Sequence, residues 1–275
     1  MADLWEPKRR IEREYQQQLT SLTRQLGNLI AGATDPQWIV SALKHAVASP
    51  AFNRYLQAAS MQMVTNLFTD TGRTWRKAAA ANSRGREIRD ALKKELAGPM
   101  GGAVSAQVSR NAGIIKTLPL ELADQITDYI ADQAMQGVRA SDIASAIQQM
   151  FPERSQAKAE LIARTETSKT STALTQARAE LMGLPWYVWR TSTDARVRQS
   201  HKLMDRVLVR WADPPAPERL AGEKNPPAPY NAGEIYNCRC YPEPLLDIDD
   251  VSWPHKVYYG NLIVVMTRAQ FKSKG

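Results

Sequence analysis

Cysteine and histidine are scarce in this chain: 275 residues contain two Cys and three His. Two cysteines one residue apart cannot build the disulfide framework of a small secreted fold, so a reducing compartment is expected at folding. Long apolar runs are lacking as well. The stretch from Asn261 to Met266 falls far short of the about 20 apolar residues that a membrane-spanning helix needs. The chain does not open on a basic segment followed by an apolar one, so no signal peptide is expected. G-x-S-x-G, the phosphate-binding G-x-x-x-x-G-K-[ST] and H-E-x-x-H are all absent. Their absence removes the usual signatures of α/β-hydrolases, P-loop nucleotidases and one large class of metalloproteases.

Acidic residues are thin in the first part of the chain. Residues 1–118 hold 17 Lys and Arg against 9 Asp and Glu, a surplus of 8, whereas residues 119–275 hold 19 of each. The whole net charge of +8 therefore sits in the first part. Tracts such as Lys8-Arg9-Arg10, Arg73 to Lys77 and Arg84 to Lys94 carry it. A basic helical surface is the electrostatic footprint of nucleic-acid binding, and it is also an ordinary way to stay soluble.

What is present begins with helical periodicity. Residues 5–97 read as helical, with Ile11, Tyr15, Leu19, Leu22, Leu26 and Leu29 on one face. Thr34-Asp35-Pro36 and Ser49-Pro50 mark helix starts. A further helix is expected from Thr74 to Leu96, stopped by Gly98-Pro99. Residues 98–118 are rich in Gly, Ala and Ser and read as a linker. Pro119 is expected to open a second helical block, with one short helix through Met150 and a longer one over 153–182. After Gly183 the apolar period changes from that of a helix to that of a strand, at Tyr187-Val188-Trp189 and Val207 to Trp211. Residues 213–233 hold six prolines and read as a surface loop, and Cys238 to Tyr241 reads as a returning strand. The expected class is α+β: a mostly helical N-terminal region, then helices packed on a small antiparallel sheet. The expected divisions are a basic helical region over 1–97, a linker over 98–118, a domain over 119–246 and a C-terminal extension over 247–275.

Scarce residue types gather in three short clusters: Ala163 to Thr167, Thr193 to His201, and Asn237-Cys238-Arg239-Cys240. Arg164 and Glu166 lie two apart on a helix, so they do not face each other and each points elsewhere. An ordinary solvated pair has the same sequence. Asp194 is placed to cap a short helix reaching Met204, and Arg196 and Arg198 are able to pair with Glu166 or bind phosphate. Cys238 and Cys240 on one face of a strand, near His201, would offer zinc two thiolates and an imidazole. Two small buried hydrophobes would look the same. A nucleophilic Cys–His pair is a further option.

Taken in order, these pieces form a pattern. Ala-Arg-Thr-Glu in a helix, a glycine at its end, a strand bearing Trp, Asp-x-Arg-x-Arg-x-x-His, a proline-rich loop, and Asn-Cys-Arg-Cys followed by proline resemble the phage head morphogenesis, or Mu F-like, minor head protein family. The matching residues are Arg164, Thr165, Glu166, Gly183, Trp189, Asp194, Arg196, Arg198, His201, Asn237, Cys238, Arg239, Cys240 and Pro242. The resemblance covers about residues 119–246 and does not extend to 1–118. Arg206 departs from it, since family members often carry glycine there.

The resemblance implies a non-enzymatic assembly role in the phage head. It implies partners among the portal protein and other head or scaffolding proteins, and a place in the virion interior after assembly in the host cytoplasm. A packaged enzyme or effector built on the Arg/Glu/Asp/His/Cys cluster is the alternative. Arg164, Glu166, Asp194, Arg196, Arg198, His201, Asn237, Cys238, Arg239 and Cys240 are expected to form one structural polar cluster, with no residue assigned to catalysis. No cofactor is assigned as certain; a structural zinc on Cys238, Cys240 and His201 is the one option the residues offer. Non-specific double-stranded DNA is the expected ligand of Lys8, Arg9, Arg10, Arg73, Arg76, Lys77, Arg84, Arg86, Lys93 and Lys94.

Overall fold

The structure, a computed structural model, describes residues 4–95, 98–192 and 196–274. Its elements are, in order, α1 (Arg9–Ile30), α2 (Pro36–Ala46), α3 (Pro50–Ala81), α4 (Gly85–Lys93), α5 (Pro99–Met135), α6 (Ala140–Leu181), β1 (Trp186–Arg190), α7 (Gln199–Met204), β2 (Leu208–Arg210), α8 (Pro217–Leu220), β3 (Tyr241–Pro244), β4 (His255–Tyr259), β5 (Leu262–Met266) and α9 (Arg268–Lys274). The class is α+β. Among the described residues no helix is long and apolar enough to cross a membrane.

The chain separates into two compact units. The helical unit comprises Arg9–Thr65 and Ala106–Glu166. Its α1 buries Ile11, Tyr15, Leu19, Leu22, Leu26 and Ile30, a spacing of three and four residues that keeps one stripe inward. Leu29, expected in that stripe, is exposed, and Ile30 takes its place. Asp35 caps α2 by accepting from Gln37 N at 2.9 Å, with Pro36 in the first turn. Lys158 pairs with Glu121, Lys44 with Asp124 at 3.5 Å, and Tyr55 Oη donates to Gln18 O at 2.6 Å.

The sheet-bearing unit comprises Met1–Lys8, Asn66–Ser105 and Thr167–Gly275. Its strands lie in the order β3-β1-β2-β4-β5. β1 is antiparallel to both β2 and β3, and β4 to β5. β2 runs parallel to β4, through Leu208 opposite Val257, so the sheet is mixed and not purely antiparallel as expected. Both faces are covered. Tyr187, Trp189 and Val209 pack with Trp75, Ile88 and Leu92 of α3 and α4, whereas Trp186, Val188 and Leu208 pack with Val257, Met266 and Phe271. Double-sided burial explains why β1 reads Trp-Tyr-Val-Trp and not as a polar–apolar alternation.

Several boundaries differ from the sequence expectation. Residues 98–118, read as a linker, lie in α5 from Pro99 onward. Glycine in a helix costs roughly 1 kcal/mol against alanine, but Val108, Ala112, Ile115 and Leu118 recur at helical spacing and are buried. Pro119 and Pro152 lie inside α5 and α6 and do not end them. The helix expected from Thr74 onward is divided: α3 ends at Ala81 and α4 starts at Gly85. Glycine is required at that break, because a Cβ on Gly85 would stand 1.8 Å from Ala79 O. Residues 247–275, set apart as an extension, contribute β4 and β5 to the sheet, followed by α9.

Candidate metal centre

The Cys238–Cys240 segment is not a strand. β3 starts one residue later, at Tyr241. Asn237 takes a left-handed backbone conformation, φ 57°, a state asparagine tolerates better than most residues. The turn carries both sulfurs to one imidazole. His201 Nδ1 lies 3.3 Å from Cys240 Sγ and 3.5 Å from Cys238 Sγ. The backbone N–H of Cys240 donates to Cys238 Sγ at 3.4 Å. His201, Cys238 and Cys240 are 2%, 3% and 1% exposed.

His201 comes from α7, and its other ring nitrogen faces two residues the sequence did not mark. Nε2 lies 2.9 Å from Tyr230 Oη and 3.4 Å from Glu218 Oε1. Tyr230 Oη donates to the Glu218 carboxylate, 2.8 Å from each oxygen. Both come from the proline-rich segment read as a surface loop, yet Pro215, Ala216, Pro217 and Glu218 are buried. Proline has no N–H to satisfy and a preset φ, so such a segment enters a core at low polar cost. The only sequence signal for this contribution is an acid and a tyrosine in a segment that is otherwise mostly small residues and proline.

Burial and mutual contact set the titration of the site. The hydrogen bond between the two sulfurs, with His201 beside them, holds Cys238 well below the ordinary thiol value, and Cys240 is pushed well above it. Burial, followed by the adjacent Glu218 carboxylate, raises the Tyr230 phenol far above its usual value, so it stays a donor. The site presents three soft or borderline metal donors. A cysteine nucleophile needs access for substrate, and these sulfurs have almost none.

The other sequence-marked residues fall into two sets. In the helical unit, Glu166 accepts from Arg110 Nη2 at 2.8 Å, and Arg164 pairs with Glu12 at 3.4 Å. In the sheet-bearing unit, Arg198 Nη2 donates to Tyr236 O at 3.1 Å, with the guanidinium 5.1 Å from the Tyr236 ring centre. Arg196 and Asn237 are exposed, and Arg239 is half-buried beside the cysteines. Asp194 lies outside the described residues. Arg206, where the resembling family often has glycine, adopts φ 61°, so the glycine-type turn persists with an arginine in it. Of the ten basic residues expected on DNA, all are exposed except Arg84, which is half-buried. Arg10, Arg84 and Lys93 pair with Glu14, Glu87 and Asp90, three or four residues away in the chain.

Sequence reading missed a second buried centre in the sheet-bearing unit. Arg178 is fully buried. Its Nε donates to Glu95 Oε2 at 2.6 Å, its Nη2 to Phe68 O at 3.0 Å and its Nη1 to Thr71 Oγ1, with the guanidinium 4.5 Å from the Phe68 ring centre. On α6, Arg178 looks like any last-turn basic residue, so nothing local marks it.

Residues 124–242 match the family described as "Phage Mu protein F like protein". That segment runs from within α5 to the first residues of β3 and includes His201, Glu218, Tyr230 and both cysteines. An uncharacterized protein of Haemophilus influenzae is 32% identical over 144 residues, which is 52% of this chain and 30% of that protein. The chain thus spans less than a third of that relative's length. No solved structure matches the chain. Over residues 124–242, less than half of its length, the chain is similar to the Phage Mu protein F-like family.

Proposed function

We propose that this chain is a minor head protein of a double-stranded DNA phage, acting in head morphogenesis. The observation that carries the proposal is the family match over residues 124–242, within which the ordered clusters fall. In this reading the protein enters the procapsid, contacts the portal and other head or scaffolding proteins, and remains in the virion interior beside packaged DNA. Its role is assembly, not turnover, and the burial of His201, Cys238 and Cys240 supports that side of the choice.

The exposed arginines and lysines of α3 and α4 support a DNA contact. They are phosphate-sized charges on helices without a base-reading motif, so binding would be insensitive to sequence and steeply weakened by salt. Deleting the gene in the phage that encodes the protein tests the main proposal. The expected result is loss of infectious particles, with the protein present in a few copies per purified wild-type head and missing from heads made without portal. Normal infectious yield without the gene, or absence of the protein from purified heads, would overturn it. For DNA, electrophoretic mobility of the full chain with random-sequence duplex should shift at low salt and lose the shift at moderate salt. No shift at low salt would assign the basic surface to protein contacts.

A further inference from the structure

Two sulfurs face one ring nitrogen in this site, at 3.3 and 3.5 Å. A single N–H on His201 Nδ1 serves one acceptor well. The far side of the ring bears on which nitrogen carries the proton. Tyr230 has one hydroxyl proton, and it lies 2.8 Å from each oxygen of Glu218. With that proton given to the carboxylate, Tyr230 Oη accepts from His201 Nε2–H across 2.9 Å. The neutral tautomer with hydrogen on Nε2 leaves an Nδ1 lone pair aimed at two sulfur atoms. Lone pairs converging in a buried space call for a cation between them.

The geometry points to a Zn2+ ion held by His201 Nδ1, Cys238 Sγ and Cys240 Sγ. Zinc bonds of about 2.0 Å to nitrogen and 2.3 Å to sulfur, at a tetrahedral angle, put the two donors about 3.5 Å apart. The observed Nδ1–Sγ separations are 3.3 and 3.5 Å, and the three donor atoms all lie within 4.8 Å of one another. The surrounding groups fit as well. Cys240 N–H donates to Cys238 Sγ, as backbone amides do to metal thiolates, and Glu218 with Tyr230 holds the imidazole from behind. Among the described residues no fourth His, Cys, Asp or Glu joins the three. Near-complete burial makes the role structural: the ion ties α7 to the turn that leads into β3. The inference stands on the geometry of this unit alone and does not depend on the head-assembly reading.

The test uses the full chain, purified without chelator and kept reduced with a phosphine. Inductively coupled plasma mass spectrometry should find one zinc per chain. After removal of the metal, Co2+ titration should give thiolate-to-cobalt charge-transfer absorption with the strong d–d bands of tetrahedral coordination, displaced by Zn2+. C238S and C240S should each diminish the charge-transfer band, and H201A should abolish tight binding. E218Q should keep the cobalt spectrum but weaken affinity about 10- to 100-fold, the usual effect of losing a group that orients a metal-bound histidine. Reduced, folded wild-type protein that carries no zinc and gives no charge-transfer band would overturn the site. So would a cobalt spectrum unchanged in both serine variants, or a preference for Cu+ with no zinc uptake. An unchanged affinity in E218Q would remove Glu218 from the assignment. Because none of these readouts uses phage particles, they fail or succeed separately from the assembly proposal.

Discussion

In the helical unit, charge works at the margins of an apolar core; in the sheet-bearing unit, charge and thiol groups lie inside it. Glu166 is buried, but its partner Arg110 is 35% exposed and retains contact with water. Arg178 is fully buried, and its partner Glu95 is 7% exposed. The first unit can therefore be held together by stripes of Leu and Ile, with ion pairs adding little. The second depends on a few polar groups whose partners come from distant parts of the chain: 83 residues separate Arg178 from Glu95, and 39 separate His201 from Cys240. An interior polar group costs little when fully paired and a great deal when one partner is lost.

That asymmetry predicts an order of effects, each measurable by urea unfolding of the full chain. Arg178→Ala should be the most damaging, at about 3–5 kcal/mol, because it leaves the Glu95 carboxylate buried without its cation. Arg110→Ala is the matched change in the helical unit and should cost about 1–3 kcal/mol. Equal losses in the two variants would erase the distinction between the units. Leu43→Ala, in the fully buried stripe of α2, should cost about 2–5 kcal/mol through lost burial and a cavity. A loss well below that range would mean the helical core is not tightly packed.

Gly233→Ala sharpens the comparison from the sheet-bearing side. Gly233 has φ +89°, and a Cβ there would stand 2.6 Å from Thr172 Oγ1 and 2.9 Å from Cys240 O. The conformation alone should cost about 1–3 kcal/mol, and the backbone contact adds to it by pushing the cysteine turn off α6. Reduced metal uptake in the same variant would link the two effects. A neutral result would show that the 231–240 loop yields to the added methyl group without cost. The smallest expected change runs the other way. Arg206 is exposed and holds φ 61°, so Arg206→Gly should stabilise by up to about 1 kcal/mol by relieving a left-handed arginine. Destabilisation there would mean that the arginine side chain does more than occupy a turn.

The helical unit was the more legible of the two. The stripe of α1, the Asp35-Pro36 start and the Ser49-Pro50 start are local signals, and the structure follows them to within a residue or so. Legibility failed where local chemistry was outweighed. Glycines and Pro119 within α5 argued for a break, but the buried apolar face of that helix carries it through. The C-x-C segment has strand-like alternation, yet it turns at Asn237 because the sulfurs meet an imidazole and not a neighbouring strand. Arg178, Glu95, Glu218 and Tyr230 had no local mark, since what distinguishes them is a partner far away in the chain.

By itself, the sequence determined the α+β class, the switch from helix to strand after Gly183, the scarcity of ligand-type residues and their concentration in three clusters. These follow from periodicity and composition, which act over a few residues. Only the tertiary structure decided that the 247–275 segment adds strands beside β2, that a proline-rich loop is folded inward to deliver Glu218 and Tyr230, and that one histidine faces both cysteines. Those outcomes rest on contacts between residues far apart in the chain, where the free energy of burying and pairing groups exceeds what any local preference contributes.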